Sequence, residues 1–156
     1  MTQPITDNSD RLANLSPESD VNTDLWTEVH EQVQRQLAGL ESEVRRRVAG
    51  VRVDKGRTKG ERFCLFSYRT FSIPDSGLDP VVSGMTFTPA EQGVTVEGDA
   101  SGEQTGDHIS SVPSKTVANS REELLATARE SARALCQSAA AIAAALRDAS
   151  RIPHLR

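Results

Sequence analysis

The sequence has few aromatic residues, few cysteines and no long apolar run, and each shortage excludes a class of protein. Aromatic residues make up 4% of the 156 positions, so we expect alanine and aliphatic side chains to supply most of the core. No apolar run approaches the length of a transmembrane helix. The N-terminus also lacks the basic start and apolar stretch of a secretory signal. These absences favour a cytoplasmic protein that does not enter the membrane.

The two cysteines, Cys64 and Cys136, lie far apart in the chain, each among apolar neighbours. We interpret both as buried thiols in a reducing compartment, with a disulfide between them as the alternative. Cys64 paired with a distant histidine would be a nucleophile in principle, but an apolar strand is the typical place of an unreactive thiol.

Signatures of catalysis and of metal binding are also missing from the sequence. It has neither the Gly-x-Ser-x-Gly motif nor a Gly-Lys-Ser/Thr phosphate loop. The three histidines are His30, His108 and His154, and none has a second histidine or a cysteine at a metal-ligand spacing. The segment 55–60, KGRTKG, has donors for an anion but no predicted strand-to-helix turn to orient them. We therefore predict a protein that is not an enzyme and has no cofactor.

Two long segments have helical periodicity. In residues 24–49 the apolar positions recur at spacings of three and four, as in a helix with one buried stripe; they are Trp26, Val29, Val33, Leu37, Leu40, Val44 and Val48. Packing on the protein's own sheet is the favoured use of this stripe, and a coiled coil is the alternative. Residues 120–150 form the second predicted helix, which a capping box at Ser120–Glu123 begins.

Between these helices the pattern is that of short strands. The segment 62–73, RFCLFSYRTFSI, contains four of the six aromatic residues, and we predict it to be the central strand. Alternation places Leu65, Ser67, Arg69 and Phe71 on one face, and Cys64, Phe66, Tyr68 and Thr70 on the other. Further strands are predicted at 81–88, 94–97 and, weakly, 108–112. A short strand near 51–54 would precede a hairpin loop at 55–60, and 98–107 would be a polar loop.

The predicted fold is α+β: two long helices flanking an antiparallel meander of three to four strands, in the order α-β-β-β-(β)-α, as a two-layer sandwich. Residues 23–150 would form one domain, preceded by a disordered arm (1–22) and followed by a loose tail (151–156). The element order resembles that of small bacterial nucleoid-associated proteins and of dimeric secretion chaperones. That resemblance lies in the order of elements alone, so it implies no site residues.

Charge is unevenly distributed along the chain. The whole sequence has a net charge of −4, but residues 45–62 have eight basic side chains and two acidic ones, whereas residues 73–114 have seven acidic side chains and no lysine or arginine. Such a basic segment is typical of phosphate and nucleic-acid contacts. The candidate anion or nucleic-acid contacts are Arg45, Arg46, Arg47, Arg52, Lys55, Arg57 and Lys59.

The second candidate site is the sheet face opposite the helices. If both helices cover one face of the strand at 62–73, the apolar residues of its other face need a different cover. We predict that Cys64, Phe66 and Tyr68 form a self-association surface. The favoured function is a non-enzymatic, homodimeric binding or adaptor protein that could also bind another protein, and nucleic-acid binding through residues 45–62 is the alternative.

Overall fold

A computed structural model describes residues 20–59, 65–117, 120–148 and 151. Helix α1 (Asp20–Arg47) is followed by the five strands β1 (Arg52–Lys59), β2 (Leu65–Ser72), β3 (Val81–Ala90), β4 (Gly93–Gly102) and β5 (His108–Val117). Helix α2 (Arg121–Leu135), a 3₁₀ turn (Cys136–Ser138) and helix α3 (Ala139–Ala145) complete the described chain. The predicted α+β class with an antiparallel sheet is confirmed. No helix in the described ranges has an apolar stretch long enough to cross a membrane.

The strands form one antiparallel sheet in chain order, β1-β2-β3-β4-β5. The aromatic strand β2 is therefore second from one edge, and β3 occupies the centre. The predicted alternation along β2 is confirmed, because Leu65, Ser67, Arg69 and Phe71 are buried and each intervening residue is half-buried.

Both long helical segments contact the same face of the sheet. Helix α1 packs on β2, and α2 packs on β3, β4 and β5, while the two helices also pack against each other. All seven residues of the predicted apolar stripe of α1 are buried, as are Phe71, Met85, Phe87 and Val96 of the strands. The stripe thus packs within the domain rather than forming a coiled-coil seam. We call the sheet face turned away from the helices the open face.

The ends of α1 differ slightly from the predicted ends. The helix begins at Asp20, before the predicted start at residue 24, and residues 1–19 of the expected arm lie outside the described residues. It ends at Arg47, and Gly50 follows with a φ of 77°, a left-handed conformation that glycine adopts without steric cost. The four-residue spacing of glutamate and arginine along the helix predicts the ion pairs Glu31–Arg35, Glu41–Arg45 and Glu43–Arg47. The last two form, whereas Glu31–Arg35 is not among the ion pairs of the described residues.

The C-terminal segment is shorter and more broken than the single predicted helix at 120–150. Ser120 caps α2 as predicted, since its hydroxyl accepts from the backbone N–H of Glu123 at 3.3 Å. The 3₁₀ turn then separates α2 from α3. At this turn the half-buried free thiol of Cys136 donates to the carbonyl of Gln36, and Ser138 donates to Ser110 of β5. These bonds to α1 and to the sheet fix the position of the interruption.

Two segments that we expected to be loops are strands. Residues 55–59 of the predicted hairpin loop belong to β1, where every residue of the strand pairs with one of β2. Residues 98–102 of the predicted polar loop belong to β4. Gly98 fits the sheet because the Met85 side chain occupies the space where its own would lie. The glycines that suggested loops are therefore places where neighbouring side chains approach the backbone closely.

Candidate functional site

The open face has an aromatic pair on β2, beside the central strand β3. Phe66 and Tyr68 are two residues apart on β2, and their rings stack with centroids 5.2 Å apart and planes inclined by 15°. Both are half-buried. Their neighbours on β3 are small or β-branched: Val82, Gly84 and Thr86. Two of the three residues predicted for self-association thus lie side by side, and the third, Cys64, lies outside the described residues.

Glycines on both sides of Tyr68 make this part of the open face flat. Gly56 of β1 and Gly84 of β3 are the cross-strand partners of Tyr68. A Cβ at Gly56 would lie 3.1 Å from the Tyr68 hydroxyl, so the ring extends over β1. A Cβ at Gly84 would overlap the Ser67 carbonyl. Glycine at position 84 therefore allows the close approach of β2 and β3 beneath the aromatic pair.

The far side of the open face, across β4 and β5, is acidic. Glu97 and Asp99 line a cavity of about 660 Å³ together with His108 and Ser111. Burial raises the pKa of Asp99, the charge of Glu97 raises it further, and His108 opposes both. The open face therefore combines an uncharged aromatic part with a charged rim.

Both edge strands of the sheet are protected against pairing with another strand. Strand β1 presents the exposed charges of Arg52, Asp54, Lys55 and Arg57. Strand β5 contains Pro113, which has no N–H to donate, and its pairing with β4 shifts register twice. Charges, proline and bulges are the usual ways in which edge strands avoid pairing. The open face is consequently a better surface for self-association than either edge.

The structure divides the predicted basic segment into two groups. At the end of α1, Arg45 pairs with Glu41, while Arg46 and Arg47 both pair with Glu43. Arg52 is 3.4 Å from Asp54. Lys55 and Arg57 lie instead on the face of β1 that is turned toward α1, and Arg57 donates to the Thr27 hydroxyl at 3.3 Å. The side chain of Lys59 lies outside the described residues. The segment is therefore not one continuous basic patch.

A buried polar cluster beneath α1 is the feature that the sequence analysis missed. Arg69 is 5% exposed; its guanidinium pairs with Glu41 and donates to the side-chain and backbone oxygens of Gln34 at 3.2 and 3.1 Å. The Gln34 amide donates to Ser67 at 3.1 Å, and His30 Nδ1 lies 2.7 Å from the same hydroxyl. We call these residues the Arg69 cluster.

A sequence signal for this cluster existed. Ser67 and Arg69 are polar residues on the face of β2 that the alternation had already assigned to the core. His30, Gln34 and Glu41 are spaced by four and seven, and therefore lie along one flank of the apolar stripe of α1. Two polar rows predicted to face each other indicate a buried network. The pattern could not show which atoms pair.

A second buried polar cluster fixes the end of the described chain. Asp79 is fully buried and accepts hydrogen bonds from the backbone N–H groups of Gln104 and Thr105 and from the Thr105 hydroxyl. The guanidinium of Arg151 lies 3.4 Å from its carboxylate. Burial alone would raise the pKa of Asp79, but these hydrogen bonds and the charge of Arg151 together lower it. Arg151, the first residue of the expected loose tail, is itself buried.

Comparison of the chain with protein-family models, with curated proteins and with solved structures finds no match.

Proposed function

We propose that the protein is a non-enzymatic binding protein that acts as a homodimer, in which the open faces of two copies pack together. The observation that supports this most directly is the stacked Phe66–Tyr68 pair, which lies half-exposed on a flat part of the sheet. Aromatic residues are enriched at the centres of protein interfaces because they bury a large area with few rotatable bonds.

The arrangement of charge on the open face favours a second copy as the occupant. The Phe66–Tyr68 part is uncharged, and the acids Glu97 and Asp99 lie to one side, where they would form a solvated rim. A two-fold axis places the same patch of both partners in contact. An axis parallel to β2 sets one aromatic pair over the other and places β3 over β1 of the second copy, so that β4 and its acids lie beyond the edge of that copy. The protected edge strands disfavour association through the sheet edges.

The test is sedimentation equilibrium on the full chain and on three variants. We expect a dimer for the wild type, and a monomer for Phe66→Glu and for Tyr68→Ser, because each change removes one member of the aromatic pair. Ala144→Glu is the matched control, since Ala144 is an exposed residue of α3, and it should remain dimeric. Thermal melts would establish that all variants fold. A wild type that is monomeric at its highest soluble concentration would contradict the proposal, and so would a dimer that survives both changes.

Nucleic-acid binding through residues 45–62 is the second candidate function. It is favoured by the exposure of two arginine side chains, 69% for Arg46 and 68% for Arg52. Its weakness is that Glu43 and Asp54 pair with these two guanidinium groups. A gel-shift titration at several salt concentrations, with Arg46→Ala and Arg57→Ala, decides it. Binding that is absent at low salt, or unchanged in both variants, would remove this candidate.

A further inference from the structure

A cleft between α1 and the first two strands is the feature of the molecule that the proposed function leaves unused. It has a volume of about 580 Å³, within the size range of small-molecule sites, roughly 300–1,000 Å³. His30, Gln34 and Arg35 line it from α1, and Lys55 and Arg69 line it from β1 and β2. We call it the α1–β1 cleft. It lies on the helix side of the sheet, away from the open face, so an occupant there would not interfere with the proposed dimer.

The wall formed by Arg69 is held in place before any ligand arrives. The Arg69 guanidinium is fixed by Glu41 and by two oxygens of Gln34. Gln34 is itself held by Ser67 and by the backbone carbonyl of Tyr68 at 3.2 Å. A ligand that contacts this wall would therefore not have to order it, which removes part of the usual entropic cost of binding.

The cationic side chains nearer the opening are not neutralised in the same way. Arg35 and Lys55 are exposed, and neither has an ion-pair partner among the residues that the structure describes. They stand on opposite walls, one on α1 and the other on β1. Glu31 is the one acidic residue among the described residues that line the cleft. By contrast, Arg45, Arg46, Arg47 and Arg52 outside the cleft all have carboxylate partners.

The histidine in the cleft responds to this excess of positive charge. Burial lowers the pKa of His30, and the charges of Arg57 and Lys55 lower it further, against the opposing effect of Glu31. Arg35 and Arg69 are the other charged groups that line the cleft with it. The imidazole is therefore disfavoured as a cation while the cleft holds no counter-charge. A bound anion would reverse that balance, which makes His30 a reporter of occupancy.

We propose that the α1–β1 cleft binds a small phosphate-bearing molecule, with Arg35 and Lys55 contacting the phosphate group from opposite walls. Two cations without an ion-pair partner among the described residues match the two negative charges of a phosphate monoester. Guanidinium and ammonium groups are the common phosphate ligands of proteins, and charge-assisted hydrogen bonds are about twice as strong as neutral ones. The cleft is larger than a bare phosphate, so the remaining volume would hold a small organic group beside Ala38 and Gln34.

The experiment is an NMR titration of the histidine ring signals of the full chain with inorganic phosphate and with glycerol phosphate, at constant ionic strength. His30→Gln assigns the His30 signals, and His108, on the open face, is the internal reference. We expect saturable shifts at His30 and a rise in its pKa when either ligand is bound. Succinate, a dianion without phosphorus, is the comparison ligand. Succinate binding as tight as that of glycerol phosphate would overturn the assignment to phosphate.

Variants separate a specific site from general attraction to positive charge. Arg35→Gln and Lys55→Gln should each weaken binding about tenfold, the size of one charge-assisted contact of roughly 1.4 kcal/mol. Arg46→Gln removes an equal charge outside the cleft and should change the affinity less than about twofold, since exposed and paired charges contribute little. The proposal is wrong if His30 shows no saturable shift, or if all three variants weaken binding equally. Neither result depends on whether the chain is a dimer.

Discussion

Along β2, the residues that face the helices are buried, whereas the alternate residues on the open face are half-buried and lie on the side of the sheet away from the described helices. The one charged residue of the strand, Arg69, lies on the enclosed face. Ser67 and Arg69 lie beneath α1, and their hydrogen bonds run to Gln34, His30 and Glu41. On the open face, Phe66 and Tyr68 alternate with Ser67 and Arg69 along the strand.

This inversion shows why hydrophobicity alone does not separate core from surface. A buried polar group is tolerated when its partners are supplied by the opposing element, as α1 does for Arg69. A half-exposed aromatic pair that no element of the described residues covers has no such explanation within that part of the chain. The polar residues on the enclosed face of β2 are therefore explained by the fold of one chain, whereas we propose that a second copy covers the aromatic residues on the open face.

The largest effect is expected when a phenylalanine is replaced by alanine on each face of the sheet. Phe87 is fully buried on the helix side, so Phe87→Ala should lower the free energy of unfolding by about 3–5 kcal/mol. Phe66→Ala removes a half-buried ring of the same size and should cost about 1 kcal/mol, since only part of its transfer free energy is lost. Urea denaturation at low protein concentration measures both. Equal losses would mean that the open face is part of the core.

Some features of the fold could be predicted from the sequence, and others could not. The alternation of β2 and the apolar stripe of α1 were predictable, because one buried side repeats with the period of the element. The full lengths of β1 and β4 could not be predicted. Gly56 and Gly98 indicated loops, and only the positions of Tyr68 and Met85 explain why glycine suits a strand there.

The sequence identified residues of the candidate sites, but it did not show which of them lie together in the structure. Phe66 and Tyr68 were identified from alternation alone. The basic segment, however, was treated as one cluster, whereas the structure turns Lys55 and Arg57 toward α1 and leaves Arg46 and Arg52 paired outside. Which face a residue of an edge strand occupies depends on where the strand begins. The predicted loop at 55–60 had hidden that register.

A smaller effect on stability is expected from replacing Asp79, whose buried carboxylate is hydrogen-bonded within the fold. Its lowered pKa means that ionised Asp79 stabilises the fold fully above the unfolded pKa, near roughly 4, and that this stabilisation is lost as pH falls through the folded pKa. Asp79→Asn should therefore cost about 2 kcal/mol at neutral pH, the scale of hydrogen bonds to a charged group. The deficit should shrink in acid.

Thermal or urea unfolding as a function of pH measures this deficit. Asp75→Asn is the control, because Asp75 is exposed in the turn after β2 and has a φ of 62°, which asparagine also tolerates. It should leave stability unchanged. A deficit for Asp79→Asn that is the same at every pH would show that the lost interaction is packing rather than charge.

The smallest effect should come from replacing Asp99 on the open face, and this change should raise the free energy of unfolding rather than lower it. Burial and the charge of Glu97 raise the pKa of Asp99, so its ionisation costs stability as pH rises from the unfolded pKa through the folded one. Asp99→Asn should stabilise the monomer at neutral pH by at most about 0.5 kcal/mol, because the side chain is only partly covered and solvent screens its charge.

The gain from Asp99→Asn should disappear in acid, where the wild-type carboxyl is already protonated. Glu97→Gln is its companion variant, since removing that charge should lower the pKa of Asp99 in a carboxyl NMR titration. In the proposed dimer, neither change should alter association, because the acids of the two copies lie on opposite sides of the contact. If the Asp99→Asn variant is instead less stable than the wild type at neutral pH, the carboxylate has a favourable partner. The acids on β4 would then form a separate candidate site.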